Sequence, residues 1–386
     1  MYFIFQGSEG QFMRHVVKWL FMAGATGLPW LAPGIANAAV THQDTVYVSP
    51  AGQTGAADQS CGTAAFGSVQ AGVDAVPARG TVIVCAGTYD ESVTIAQSMT
   101  LAGRPGAVID ATGQQYGVGV GASYVTVSGL TVENASIGAT LADGILTAGV
   151  VNNAVVIGNH VTIIGDTTEN NVGSGIDLNS TTGSSAIDDV SKDNAVGINV
   201  SDDLGQPATD NSIIGNVAED NAGGCGIALA DHTGAGISGN RVIGNVSNDN
   251  GLGTPTGTSA SAGSGVILAG ITGGVFDNTI TGNTFNGNGH AGVDVHAHVA
   301  GMNMTGNVIT GNWIGVNNLR GSEGDADSTG IYLGNASPMT ITVRGNFISG
   351  DYYGVFEAGG PITVNSVADN FYIHVTSVLG TSPTFS

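Results

Sequence analysis

The chain has 386 residues, 63 of them glycine, with 42% apolar and only 10% charged residues and a formal net charge of −22. Glycine at this level without a Gly-X-Y period excludes collagen, and the apolar fraction excludes disorder driven by charge. The carboxylate excess works against a nucleic-acid partner, which needs a basic footprint. It also works against unaided binding of an anionic polysaccharide, although carboxylate-rich loops readily hold Ca²⁺.

Residues 1–38 read as an upstream extension followed by a secretory signal. Met13-Arg14-His15-Val16-Val17-Lys18 supplies a basic start, "WLFMAGATGLPWLAPGIANA" an apolar run, and Ala36-Asn37-Ala38 a small-x-small end. The run is interrupted by Gly and Pro and is too short to span a bilayer. No other stretch reads as a membrane helix. Export, to the periplasm, the cell surface or the medium, is therefore expected, and export permits disulfides. Cys61 and Cys85 lie close in sequence and fit a pair, leaving Cys225 as a buried strand thiol in "GGCGIALA".

Residues 39–110 read as an N-terminal cap and the first coils of a repeat. Within "FGSVQAGVDAV" (66–76), Phe66, Val69, Val73 and Val76 recur at helical spacing, which predicts an amphipathic helix. From 111 to 370 a Gly-aliphatic-x-aliphatic unit recurs: "GIDL" at 175, "GINV" at 197, "GIAL" at 226, "GVIL" at 265, "GVDV" at 292, "GIYL" at 330 and "GVFE" at 354. Out of phase with it runs a second unit, apolar-x-Gly-Asn, at Asn216, Asn240, Asn283, Asn307 and Asn346. Steps of 22 residues (Gly175 to Gly197) and 24 residues (Asn216 to Asn240, Asn283 to Asn307) suit one coil of a β-solenoid. Each short strand would bury its apolar side only by stacking on the next coil. The Asn would form a ladder at the bends, where it tolerates the left-handed region. Residues 371–386 read as a C-terminal tail.

The segment "TVYVSPAG…CGTAAFGSVQAGVDAVPARGTVIVCAGTYDESVTIAQSMTLAGRPGAVID" (45–110) resembles the entry of right-handed parallel β-helix proteins of the pectin-lyase-like superfamily, including the NosD-like repeat proteins. The repeats carry the resemblance to about residue 370. It implies an all-β, single-stranded right-handed solenoid with an N-terminal capping helix, and it leaves the activity open. The superfamily's polygalacturonase pattern of Asn-x-Asp, Asp-Asp, Gly-His-Gly and Arg-x-Lys is met only by "DD" at 188–189 and 202–203 and "GHAG" at 289–292. The Asp-Pro-His core of alginate epimerases becomes "DVH" at 294–296.

Alternate residues of a strand share a face. In "GVDVHAHVAG" (292–301) the valines and Ala297 would point inward, and Asp294, His296 and His298 outward. Aligning the copies puts Asp177, Asn199, Ala228, Ile267, Tyr332 and Phe356 in the Asp294 column. Asn179, Ser201, Ala230 and Ala269 fall in the His296 column, and Asp203 and His232 in the His298 column. Asn317 and Arg320 would lie one coil further on. Asp294, His296, His298 and Arg320 are thus the candidate catalytic group, for hydrolysis by paired carboxyls or proton abstraction by a histidine. Asp177, Asn199, Asp203, His232, Asn317 and Tyr332 are candidate substrate contacts. Zn²⁺ on Asp294, His296 and His298 and a plainly solvated face are the competing readings. In "GDADSTGI" (324–331), Asp325 and Asp327 partly match a Ca²⁺ loop but lack its terminal Glu. The expectation is a secreted, monomeric protein that binds and cleaves or modifies an extracellular polysaccharide. A non-catalytic adhesion module is the alternative. The NosD resemblance implies a third reading, a metal-handling periplasmic protein.

Overall fold

The structure is a computed structural model that describes residues 44–52, 58–137, 142–151, 154–253, 263–321, 326–335, 338–360 and 362–382. The signal segment (1–38) and Asp325 lie outside the described residues. Three long parallel sheets run the length of the molecule. The first has 12 strands, from Thr45–Val48 to Ile362–Asn365. The second has 11, from Gly87–Asp90 to Phe371–Ile373, and the third has 11, from Val93–Ile95 to Ser377–Ser382. In each sheet the strands follow chain order, so every step to the next strand is one coil of a parallel β-helix. The coils continue through Ser382, past the tail expected to begin at 371. Among the described residues, the pair Ala148–Val151 and Ala154–Ile157 is antiparallel.

Inward positions alternate along each strand and are filled by Val, Ile and Leu, which form one continuous core from Val46 to Val355. A helix, Val69–Ala75, adds Val69 and Val73 to that core beside Val46, Val48 and Val82. The Ser68 hydroxyl caps it by accepting from the Ala71 N–H, and the Glu91 carboxylate accepts from the N–H groups of Val69 and Gln70. Cys61 and Cys85 form a disulfide, and Cys225 is a buried thiol.

The Gly-Asn units are corners. Between the first and second sheets, Gly215, Gly244, Gly282, Gly311 and Gly345 hold φ between +65° and +69°, a region where a Cβ is strained. The Asn that follows turns inward. The Asn245 Oδ1 accepts from the Asn216 backbone N–H (2.8 Å) while its Nδ2 donates to the Ile213 carbonyl (2.9 Å). The pattern repeats through Asn283, Asn312 and Asn346. Two further ladders stand at the other corners, Asn211–Asn240–Asn278–Asn307 and Asn171–Asn194–Asn221–Asn250–Asn288–Asn317.

This corrects the expected period. Asn216 and Asn240 belong to different ladders, as do Asn283 and Asn307, so the 24-residue steps joined two corners that carry the same Gly-Asn signature. The real steps along one ladder are 27, 29, 38, 29 and 34 residues, because loops of different length leave the coil between the sheets.

Candidate active site on the third sheet

The third sheet aligns the Gly-aliphatic copies in the register read from the sequence, Ile176–Ile198–Ile227–Val266–Val293–Ile331–Val355. Its outer column is therefore Asp177, Asn199, Ala228, Ile267, Asp294, Tyr332 and Phe356. This outer face is not a solvated one: Asp177, Asp294, His296 and Tyr332 are all buried. The turns that follow the strands fold back over it. Leu204 N–H, for example, donates to Asn179 Oδ1 and Ser180 Oγ.

At one end of the column lies a cleft of about 480 Å³, within the range of small-ligand sites. It is lined by Asp143, Asp177, Asn199, Asp203 and His232 together with Gly173, Ser174 and Val196. Four residues expected to touch substrate (Asp177, Asn199, Asp203 and His232) meet here. Asp177 accepts from Asn199 Nδ2 (3.2 Å), Ser201 Oγ (3.1 Å) and Asn179 Nδ2 (3.0 Å). Burial, then the charges of Asp143 and Asp203, push its carboxyl well above the usual range. Burial pushes Asp143 up to about 7, against the Ser174 N–H on its Oδ1 (2.7 Å); its Oδ2 is buried without a partner. The His232 Nδ1 lies 2.7 Å from Asp203 Oδ1, and that bond raises the imidazole's pKa against the opposing effect of burial.

Asp202 builds the wall behind His232. Its carboxylate accepts from the N–H groups of His232, Thr233, Ala235 and Gly236 and from the Thr233 hydroxyl. Burial alone would raise it, but these donors bring it down to about 2. Asp202, Asp203 and His232 place ligand atoms within 4.8 Å of one another, the spacing of a cation site. The donor set does not suit Ca²⁺, which takes six to eight oxygens. Asp202 already has five donors, and Asp203 is held by an imidazole.

Further along the column stands an imidazole cluster. Asp294 is fully buried, with His296 Nδ1 2.9 Å from its Oδ1 and His290 Nδ1 2.9 Å from its Oδ2. Ser264 Oγ contacts both His290 Nδ1 (3.1 Å) and Asp294 Oδ2 (3.3 Å). Burial would raise the Asp294 carboxyl; the charges of His296 and His290 and their hydrogen bonds instead hold it below the usual carboxylate range. The Nε2 atoms of His296 and His298 face each other at 3.1 Å, and His298 is exposed.

The other candidates are placed elsewhere. Asn317 is buried in an Asn ladder, accepting from Asn288 and donating to the Phe285 and Gly315 carbonyls, so it does not reach the outer face. The Arg320 guanidinium donates to the Leu252 carbonyl, and its backbone N–H to the Gly289 carbonyl. Tyr332 packs edge-on to His290 and stacks on Phe356. Asp327 is exposed, and its backbone carbonyl accepts from Asn318 Nδ2. Sequence reasoning missed Asp143, Asp202 as the organiser of the wall, Ser264, and His290 as the second partner of Asp294. Asp143 had a signal: "DGIL" (143–146) is one more Gly-aliphatic copy, since Ile145 pairs with Ile176.

No protein-family profile matches the chain, and no curated protein matches it in sequence. Solved structures do. An alginate lyase from Paenibacillus sp. str. FPU-7 superposes with a TM-score of 0.55 at 16% identity, covering 86% of this chain and 98% of that one. Pectate lyase Pel9A gives 0.49 at 16% identity, covering 84% and 78%. The A-module of the Azotobacter vinelandii mannuronan C-5 epimerase AlgE4 gives 0.48 at 20%, covering 81% and 94%. The chain is accordingly a right-handed parallel β-helix protein, and at these identities the likeness speaks for the fold. No helix among the described residues is long and apolar enough to cross a membrane.

Proposed function

We propose that the protein is exported and binds and cleaves an extracellular polysaccharide in the cleft lined by Asp143, Asp177, Asn199, Asp203 and His232. The observation that carries this reading is the convergence of Asp143, Asp177 and Asp203 on one cleft, where burial pushes the first two carboxyls up. A carboxyl that burial biases toward its protonated form, with a second carboxyl in reach, is what acid–base cleavage of a glycosidic bond requires. Asp143, pushed up to about 7, and Asp177, pushed up by burial and by the neighbouring carboxylates, serve as the acid toward the leaving oxygen. Asp203, with its Oδ1 2.7 Å from His232 Nδ1, takes the proton of an incoming water, or of the sugar carbon if the reaction is an elimination. Asn199 donates to a carboxylate in the cleft wall and fixes it for that role. Calcium supplies no step, since the donors at Asp202, Asp203 and His232 do not suit it.

The sequence pointed to Asp294, His296, His298 and Arg320 for the reaction. The cleft supports it better on physical grounds. Asp294 has both oxygens engaged by imidazoles away from solvent, and the Arg320 guanidinium is engaged by the Leu252 carbonyl. A polysaccharide panel read by reducing ends and by absorbance at about 235 nm tests the assignment. Asp177→Asn and His232→Ala are expected to lower kcat at least about 10²-fold. Full activity in Asp177→Asn, or loss in His298→Ala instead, overturns the site.

A further inference from the structure

The imidazole cluster is not part of the cleft. Three strand steps separate Asn199 from Asp294 along the outer column, roughly 14 Å at ~4.8 Å per step. The two coils between them carry Ala228, Ala230, Ile267 and Ala269, which form an apolar cluster with Cys225. No acid–base pairing with the cleft crosses that strip, so the cluster needs its own account.

We propose that His296 and His298 form the protein half of a binding site for a divalent metal ion of the zinc class, with Asp294 as the positioning residue. The chain of contacts fixes the chemistry of each nitrogen. A carboxylate on His296 Nδ1 keeps the ring proton on that atom, so the opposite Nε2 presents its lone pair. Metal-binding histidines are oriented by carboxylates in this way. That Nε2 points at the Nε2 of His298, with ring centroids 4.7 Å apart and planes inclined by 59°. Two imidazole nitrogens on one tetrahedral ion, each at about 2.05 Å, stand roughly 3.3 Å apart; here they stand 3.1 Å apart. Opening the pair by a few tenths of an ångström, which the exposed His298 ring can do, admits the ion.

The surroundings set the identity and the openness of the site. Two imidazoles favour zinc, copper or nickel over calcium and magnesium, which prefer all-oxygen shells. Asp294 is itself immobilised, because its second oxygen is held by His290 and Ser264. His296 is therefore locked from behind, while His298 lies at the solvent side. Water would complete the shell on the exposed side of His298. This is the arrangement of an open site rather than a closed structural one.

The experiment uses the full chain stripped with a chelator. Zn²⁺ is titrated by calorimetry, and Co²⁺ is added as a spectroscopic probe of nitrogen ligation. One ion per chain with micromolar affinity is expected. His298→Ala, an exposed change whose fold is checked by its melting curve, should weaken binding at least tenfold and abolish the visible Co²⁺ bands. Asp294→Asn should weaken it tenfold to a hundredfold while keeping those bands, as expected when an orienting partner rather than a ligand is lost. His232→Ala should leave the affinity unchanged. No Zn²⁺ uptake by the wild type below millimolar concentration overturns the proposal, as does unaltered uptake in His298→Ala. Loss of uptake on His232→Ala overturns it too, because that places the ion in the acidic cleft.

Discussion

Asp177 and Asp294 occupy the same column of the third sheet, on strands that differ by four steps, and both are buried. Their carboxyls are driven in opposite directions. Asp177 faces Asp143 and Asp203 and holds its proton; Asp294 faces His290 and His296 and gives its proton up. Burial acts the same way on both, so the neighbours decide. A repeating scaffold can thus offer one position many times and obtain an acid from one copy and a fixed anion from another, by changing only what the flanking turns bring in. Asp143 and Asp203 arrive from strand starts and ends, and His290 from the turn before its own strand.

The comparison is broken most forcefully by removing each carboxylate. Asp294→Ala leaves two buried imidazoles without their shared anion, and losing one partner of a buried ionic group costs about 3–5 kcal/mol. Asp177→Asn keeps the shape and removes a group whose charged form burial already disfavours, so its stability should stay within about 1 kcal/mol of wild type. Urea denaturation at pH 7 measures both. Equal destabilisation by the two variants would mean that the neighbours do not set the difference.

How much of this was legible in the sequence depends on the kind of interaction. The register of the third sheet was readable because every coil must present Gly and then an aliphatic residue to a common core, whatever its loops do. That requirement fixed the Asp177, Asn199 and Asp294 column without any knowledge of coil length. The Asn ladders were readable as bends but not as three separate stacks, since each corner makes the same demand for a left-handed residue followed by a buried amide. Asn317 was misplaced for the same reason: an Asn beside a repeat unit looks the same whether it faces in or out. Four residues of the cleft were legible from the column, but its wall escaped because it depends on turns. Asp202 organises Thr233, Ala235 and Gly236 about 30 residues away, and nothing in the pattern announces that contact. His290 lies outside the strand period altogether.

The second test titrates the pair. Asp143 holds its proton in the folded state up to about pH 7, far above an unfolded aspartate. Its folded pKa is raised, so the native state binds more protons than the unfolded state between about pH 4 and pH 7. Its contribution is fully present below that window and is lost as the pH rises through about 7. The slope is up to about 1.4 kcal/mol per pH unit for one proton. Asp143→Asn should flatten the stability profile across this window, read from urea midpoints at half-unit intervals. A variant that keeps the wild-type slope would locate the proton uptake elsewhere.

The last test uses a carboxyl outside both groups, where burial leads and the charge of Asp188 is a lesser cause. Asp189 sits where a ladder Asn would be; its Oδ1 accepts from the Asp166 N–H (2.8 Å), and its Oδ2 is buried without a partner. Burial pushes it up to about 7. One coil on, the Asn216 Nδ2 donates to the Ala186 carbonyl (3.0 Å) from the equivalent position. Asp189→Asn would supply that missing donor and remove the cost of an ionisable group in the core. The gain should grow by up to about 1.4 kcal/mol per pH unit from pH 5 to about pH 7, since toward pH 5 the native carboxyl is protonated and can donate in the same way. Denaturation of the two proteins at the two pH values measures it. A gain that is the same at both pH values would show that packing, and not the carboxyl's proton, accounts for the difference between an acid and an amide in the ladder.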